Sequence, residues 1–156
     1  MTGFAEVSDI LWRERELLDL LLFKLESEQM LLRAGEVRWL ARSTREVDLV
    51  LEQLRLTEVT RAMEVGALAS DHGLSSDSSL AALAEVAPSP WGELFSAHRA
   101  AFKTLTDEIS AVAEANKVGL LEACAASEQA LVSLGAGELA GFAIPRQLPP
   151  PSRVAG

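Results

Sequence analysis

The sequence contains no tyrosine, one cysteine and two histidines, and basic residues are scarce in it. The 14 Lys and Arg residues are outnumbered by 23 Asp and Glu residues, so the formal net charge is −9 at pH 7. Because phosphate groups are bound by clustered Lys and Arg, this balance argues against nucleic acid and against an anionic membrane surface as the main ligand.

The few reactive side chains form no recognisable chemical site. Cys124 has no second cysteine to pair with, which fits a reducing compartment. We expect its side chain to be buried and to behave as a small apolar residue. His72 and His98 stand in no Glu-x-x-His or His-x-x-x-His spacing, and no glycine-rich phosphate loop or Gly-x-Ser-x-Gly motif occurs. We therefore expect no catalytic residue, no metal and no cofactor.

Long apolar runs are also missing. The leucine-rich cluster Leu20–Phe23 is flanked by Asp19 and Lys24, whereas a membrane-spanning helix needs about 18 or more apolar residues. The first nine residues do not have the basic and apolar regions of a signal peptide. These absences predict a cytoplasmic protein without membrane insertion.

What the sequence does contain is helical periodicity. A first long helix is expected to begin near Ser8 or Asp9, either of which can cap it, and to end at Gly35. It carries a seven-residue repeat of leucines at Leu11, Leu18, Leu25 and Leu32. A second long helix follows from about residue 36 to about residue 69, and so short a link predicts an antiparallel helical hairpin.

The polar segment Ser70–Ser79 is the main break in the chain. A short helix capped by Ser79 is expected next. A third long helix should follow Ser89 as cap, with Pro90 at its first position, and run to about residue 134. Fold class is thus predicted as all-α, an extended antiparallel bundle or coiled coil of three long helices and one short one.

The last long helix is expected to outrun the second by about three turns, which would leave an apolar face without a partner inside the chain. Asn116 stands on its apolar stripe, either as a register-setting residue or as a contact to an incoming chain. Gly119 offers an alternative, because the helix would fold back there if the glycine broke it. The prolines of the tail predict a bundle over residues 1–136 and a flexible tail over residues 137–156.

The order of several weak motifs resembles the FlgN family of flagellar export chaperones. The opening reads Leu11-Trp12-x-Glu14-Arg15-x-x-Leu18-x-x-Leu21-Leu22 and continues with Leu25-Glu26-x-Glu28-x-x-Leu31-Leu32. The second helix carries Glu58-x-x-Arg61, the short helix Ser79-Leu80-x-x-Leu83-Ala84, and the last helix Asn116-x-x-x-Leu120-Leu121. The resemblance covers roughly residues 9–134.

The resemblance implies a non-catalytic chaperone that binds the C-terminal amphipathic helices of the hook–filament junction proteins FlgK and FlgL. It would prevent their premature assembly and deliver them to the flagellar type III export apparatus. Together with the unpartnered face, it gives ten candidate contact residues: Val112, Asn116, Leu120, Leu121, Ala123, Cys124, Leu131, Leu134, Leu139 and Phe142. The alternatives are a coiled-coil module that forms a homodimer through the same face, and a phosphotransfer bundle that uses His98.

Overall fold

The computed structural model describes residues 3–135, which form four helices. In chain order these are α1 (Phe4–Ala34), α2 (Val37–Asp71), α3 (Leu80–Val86) and α4 (Trp91–Ser133). No strand occurs in this part of the chain, so the predicted all-α bundle of three long helices and one short one is confirmed. The predicted tail, residues 137–156, lies outside the described residues.

Helix α1 begins earlier than expected. The Glu6 side chain reaches back to accept a hydrogen bond from the Gly3 backbone N–H at 2.9 Å, which satisfies an amide that would otherwise lack a partner. Helix therefore starts at Phe4, and the predicted start at Ser8 or Asp9 is wrong. Ser8 is instead buried inside the first turns of the helix.

The α1–α2 connection follows the prediction. Gly35 adopts the left-handed conformation at φ 68°, and its N–H donates to the Leu32 carbonyl at 3.2 Å. The N–H of Glu36 donates to the Leu31 carbonyl at 3.0 Å, so the last carbonyls of α1 are satisfied. Helix α2 starts directly afterwards at Val37, which confirms the antiparallel hairpin.

Helices α3 and α4 approach each other closely across a short linker. The Ser79 hydroxyl accepts from the Ala82 N–H at 3.1 Å, as a capping serine should. Helix α4 starts at Trp91, because its first i→i−4 hydrogen bond runs from the Leu94 N–H to the Pro90 carbonyl at 3.1 Å. Pro90 therefore stands at the cap position, one residue after the predicted cap Ser89. A Cβ at Gly92 would lie 2.6 Å from the Ala84 carbonyl oxygen, so this crossing requires a glycine.

Two apolar clusters form the core of the bundle. The first joins the start of α1, the end of α2, α3 and the start of α4, with Phe95 and Leu11 fully buried at its centre. The second lies farther along the hairpin and contains Leu21, Leu25, Val47, Val50 and Leu54, against which Ile109, Val112 and Ala113 of α4 pack. Burial of these side chains supplies the main driving force for packing the helices together.

The contacts between α1 and α4 fix the direction of α4. The ring of Trp12 meets that of His98, the carbonyl of Leu25 accepts from Asn116, and the side chain of Leu32 lies beside Gly119. Positions along both helices increase together, so α4 runs parallel to α1 and antiparallel to α2. The three long helices thus run up, down and up.

The chain divides into two compact units, Met1–Gly119 and Leu120–Gly156. The first unit contains the hairpin, α3 and most of α4, and the second contains the last part of α4. Helix α4 is continuous from Trp91 to Ser133. The alternative in which the helix folds back at Gly119 is therefore wrong.

Candidate functional site

The last part of α4, from Leu120 onward, presents several apolar side chains to solvent. Leu121 is 63 % exposed and Val132 is 78 % exposed, and Leu131 and Leu134 are also exposed. Leu120 and Ala123 are partly exposed. Exposed apolar side chains at this density are typical of a surface that binds another molecule.

The spacing of these residues arranges them on the helix. Leu120, Cys124 and Leu131 recur at intervals of four and seven residues, so they share one face of α4, and Leu134 follows directly after the last helical residue, Ser133. Leu121 and Val132 are eleven residues apart and lie together beside that face. Glu122 and Glu128 are exposed on the same segment, which makes the surface amphipathic and acidic. We call these residues, Leu120 to Leu134, the α4 surface.

The structure places six of the ten predicted contact residues on the α4 surface: Leu120, Leu121, Ala123, Cys124, Leu131 and Leu134. Cys124 is exposed, so the expectation of a buried cysteine is wrong. Val132, which the sequence analysis omitted, is the most exposed apolar residue of the group; its position eleven residues after Leu121 was the available signal. Leu139 and Phe142 lie outside the described residues and stay predictions.

The other two predicted residues lie within the first unit and face its interior. Val112 packs against the second apolar cluster. Asn116 is only 2 % exposed, and its side-chain amide donates to the Leu25 carbonyl at 2.8 Å and to Glu28 Oε1 at 3.1 Å. The amide is thus occupied within the bundle.

Glu28 of α1 connects Asn116 of α4 to helix α2. Its carboxylate is almost fully buried and accepts a second hydrogen bond, from the Thr44 hydroxyl to Oε2 at 2.9 Å. The three side chains come from α1, α2 and α4, so one carboxylate joins all three long helices. Buried polar groups of this kind are stable only when they are hydrogen-bonded to one another. We call Glu28, Thr44 and Asn116 the polar triad.

A second buried polar contact joins Glu14 of α1 to Arg61 of α2, with Arg61 Nε 2.6 Å from Glu14 Oε2. Burial raises the pKa of the Glu14 carboxyl above its ordinary value, Arg61 opposes that rise, and the nearby Glu58 adds to it. The sequence showed Glu14 and Arg61 in separate motifs and did not reveal that they pair. The signal was the position of Glu14 between Leu11 and Leu18 on the apolar stripe.

His98 is 1 % exposed and packs edge-on against the Trp12 ring, with 4.7 Å between the ring centroids. Burial lowers the pKa of His98 below its ordinary value, and the positive charge of Arg15 lowers it further. Within residues 3–135, neither ring nitrogen has a hydrogen-bond partner. His98 is thus packed in the interior of the bundle, whereas a phosphotransfer role would require this ring to be accessible.

No group of three or more His, Cys, Asp or Glu side chains within residues 3–135 is arranged to hold a metal ion. None of the four helices described is both long enough and apolar enough to span a membrane.

Comparisons with known proteins give one match. A family model described as FlgN protein matches residues 1–138, which is most of the chain. Neither the curated proteins nor the solved structures contain a match.

Proposed function

Because this chain belongs to the FlgN family of flagellar export chaperones, we propose that it binds the C-terminal amphipathic helices of hook–filament junction proteins similar to FlgK and FlgL. In this proposal it acts in the cytoplasm, where it prevents premature assembly of these clients and delivers them to the flagellar type III export apparatus. The observation that supports it is the exposed apolar face of α4 from Leu120 to Leu134.

The physical basis is burial of apolar area. An amphipathic helix of the client would cover Leu120, Leu121 and Leu131, and full burial of one leucine side chain contributes about 1.5–3 kcal/mol. Glu122 and Glu128 beside them would affect the association rate and the choice of partner more than the affinity. Leu139 and Phe142 are proposed to extend the same surface.

Val112 and Asn116 enter the proposal in a different role. Their side chains face the core of the first unit, where Asn116 is bonded to Glu28 and Leu25. We propose that they support client binding by holding α4 in the bundle. A direct contact with the client would require Asn116 to give up both internal hydrogen bonds.

The test uses the full-length protein with the C-terminal segment of a hook–filament junction protein from the same organism. Size-exclusion chromatography with light scattering should show a one-to-one complex. The variant Leu120→Asp/Leu121→Asp should abolish it, because a buried carboxylate opposes docking. The matched control, Leu49→Asp/Leu56→Asp, changes two exposed leucines of α2 and should leave binding intact.

Helicity of both variants is checked by circular dichroism, so that loss of binding is not confused with unfolding. Complex formation that survives the change at Leu120 and Leu121 would refute the placement of the site on the α4 surface. A stable dimer of the protein alone, without any complex, would instead support the homodimer alternative, in which the same face pairs with a second copy.

A further inference from the structure

A second exposed apolar surface lies on α1, in the first unit. Phe23 is 61 % exposed and Met30 is 68 % exposed, and Trp12 and Leu20 are exposed beside them. These four residues share the side of α1 that is turned away from the core leucines Leu11, Leu18 and Leu25. We call them the α1 stripe.

Acidic side chains are interleaved with the α1 stripe. Glu16, Asp19 and Glu26 are all exposed, and within residues 3–135 none of them makes an ion pair. Of the neighbouring basic residues, Lys24 pairs with Glu46 of α2 at 3.3 Å, the guanidinium of Arg15 lies over the Trp12 ring, and Arg13 is exposed. Within residues 3–135 none of them forms an ion pair with Glu16, Asp19 or Glu26.

A groove between α1 and α4 adjoins this stripe. On the α1 side it is lined by Trp12, Arg15, Glu16 and Asp19, so two carboxylates and one guanidinium face it, and on the α4 side by Ala101, Thr104 and Leu105. From Trp12 to Met30 the stripe spans 18 intervals of helix, which is about 27 Å or five turns.

We propose that this groove and the α1 stripe bind a basic amphipathic α-helix of a partner protein. Apolar side chains of that helix would pack against Trp12, Phe23 and Leu105, and its Lys and Arg side chains would pair with the unpaired carboxylates. A second copy of this chain is a poor occupant, because its net charge of −9 would repel the acidic stripe. The proposal rests on α1 and does not depend on the client-binding function proposed for α4.

The experiment measures fluorescence anisotropy of a labelled synthetic probe with the full-length protein. The probe is an 18-residue peptide of leucine and lysine, with leucines at helical spacing along one face and lysines elsewhere. The groove variant carries three charge reversals: Glu16→Lys, Asp19→Lys and Glu26→Lys. The control variant has the same net charge and carries Glu52→Lys, Glu85→Lys and Glu93→Lys, at exposed positions away from the stripe.

The groove variant is expected to bind the probe about tenfold or more weakly than the control variant in 50 mM salt, and the difference should shrink in 500 mM salt because salt screens exposed charges. Replacement of Trp12 by alanine should weaken binding, whereas Trp39→Ala, on α2, should not. Circular dichroism and thermal melting of each variant establish that the bundle is folded.

Three results would overturn the proposal. Equal losses of affinity in the groove and control variants would mean that binding of the probe depends only on the net charge of the protein. A loss confined to Leu120→Asp/Leu121→Asp would place the probe on the α4 surface. A dimer of the protein alone that dissociates when the peptide is added would make a second copy the occupant of the stripe.

Discussion

Replacement of Asn116 by alanine should destabilise the protein although it shortens only one side chain. The amide of Asn116 donates to the Glu28 carboxylate at 3.1 Å and to the Leu25 carbonyl at 2.8 Å, and both Asn116 and Glu28 are almost fully buried. Alanine removes both donors, and no water can easily replace them at a buried position. Glu28 then retains only the hydrogen bond from Thr44.

The magnitude follows from the two bonds. A hydrogen bond to a charged group contributes about 1.5–3 kcal/mol, and a bond to a neutral carbonyl about 0.5–1.5 kcal/mol. The lower end of the second range, about 0.5 kcal/mol, applies to the bond to Leu25, because the Leu25 carbonyl keeps a partner in the α1 backbone. Alanine regains up to about 0.7 kcal/mol through its higher helix propensity. The net cost of Asn116→Ala should be about 1–3 kcal/mol.

The assay is urea denaturation at pH 7, followed by circular dichroism. Lys117→Ala serves as the matched control, because Lys117 is the exposed neighbour on the same helix and makes no ion pair within the described residues. It should change the free energy of unfolding by less than about 0.5 kcal/mol. A double-mutant cycle between Asn116→Ala and Glu28→Gln should give a coupling energy of about 1 kcal/mol.

Two results would refute this reasoning. A cost of Asn116→Ala no larger than that of Lys117→Ala would show that the two hydrogen bonds contribute nothing net. A large cost without coupling to Glu28 would mean that lost packing, and not the carboxylate bond, accounts for the destabilisation. Either result would remove the basis for treating the polar triad as the connection among α1, α2 and α4.

Two further predictions concern His98 and the glycines of α4. Because the pKa of buried His98 lies below 6.5, the unfolded chain takes up its proton first as pH falls. Stability should therefore decrease from pH 7.5 to 5.5, by at most about 1.4 kcal/mol per pH unit. In thermal melts His98→Phe should reduce this slope, and an unchanged slope in that variant would contradict the assignment to His98. Gly92→Ala should lower the free energy of unfolding by about 1–3 kcal/mol, since the added Cβ would clash with a backbone carbonyl. Gly119→Ala should be tolerated, because the added Cβ meets only a flexible leucine side chain. Equal urea midpoints of the two variants would contradict this prediction.

Local signals in the sequence were enough to predict most of the helices. Gly35 and Ser79 act through residues three or four positions away, so the hairpin and the capped short helix could be found from the sequence alone. The start of α1 was mistaken because Ser8 looked like a better cap than the Glu6 side chain. Both residue types are common at the start of a helix, and only the hydrogen bond from the Gly3 N–H to the Glu6 side chain shows which of the two satisfies the first amides.

The buried contacts between helices could not be predicted in the same way. Spacing placed Asn116 on the apolar stripe of the last helix, but its acceptors lie 88 and 91 residues earlier in the chain. Identifying them requires the register of one helix against another. Periodicity does not determine that register, because a shift by a whole heptad gives the same apolar pattern. Cys124 was misjudged for a related reason: burial at its position depends on whether another helix is adjacent, and the spacing along α4 does not contain that information.

The same ambiguity indicates why polar residues are placed in this core. Leucines repeat every seven residues along α1, so an apolar core alone would penalise a shift of one heptad only weakly. With α2 shifted by one heptad, the buried carboxylate of Glu14 would face Leu54 or Leu68 instead of Arg61. Leaving a buried charge unpaired costs about 3–5 kcal/mol, which exceeds the cost of exchanging one leucine contact for another. The Glu14–Arg61 contact therefore makes the shifted registers of α1 against α2 unfavourable.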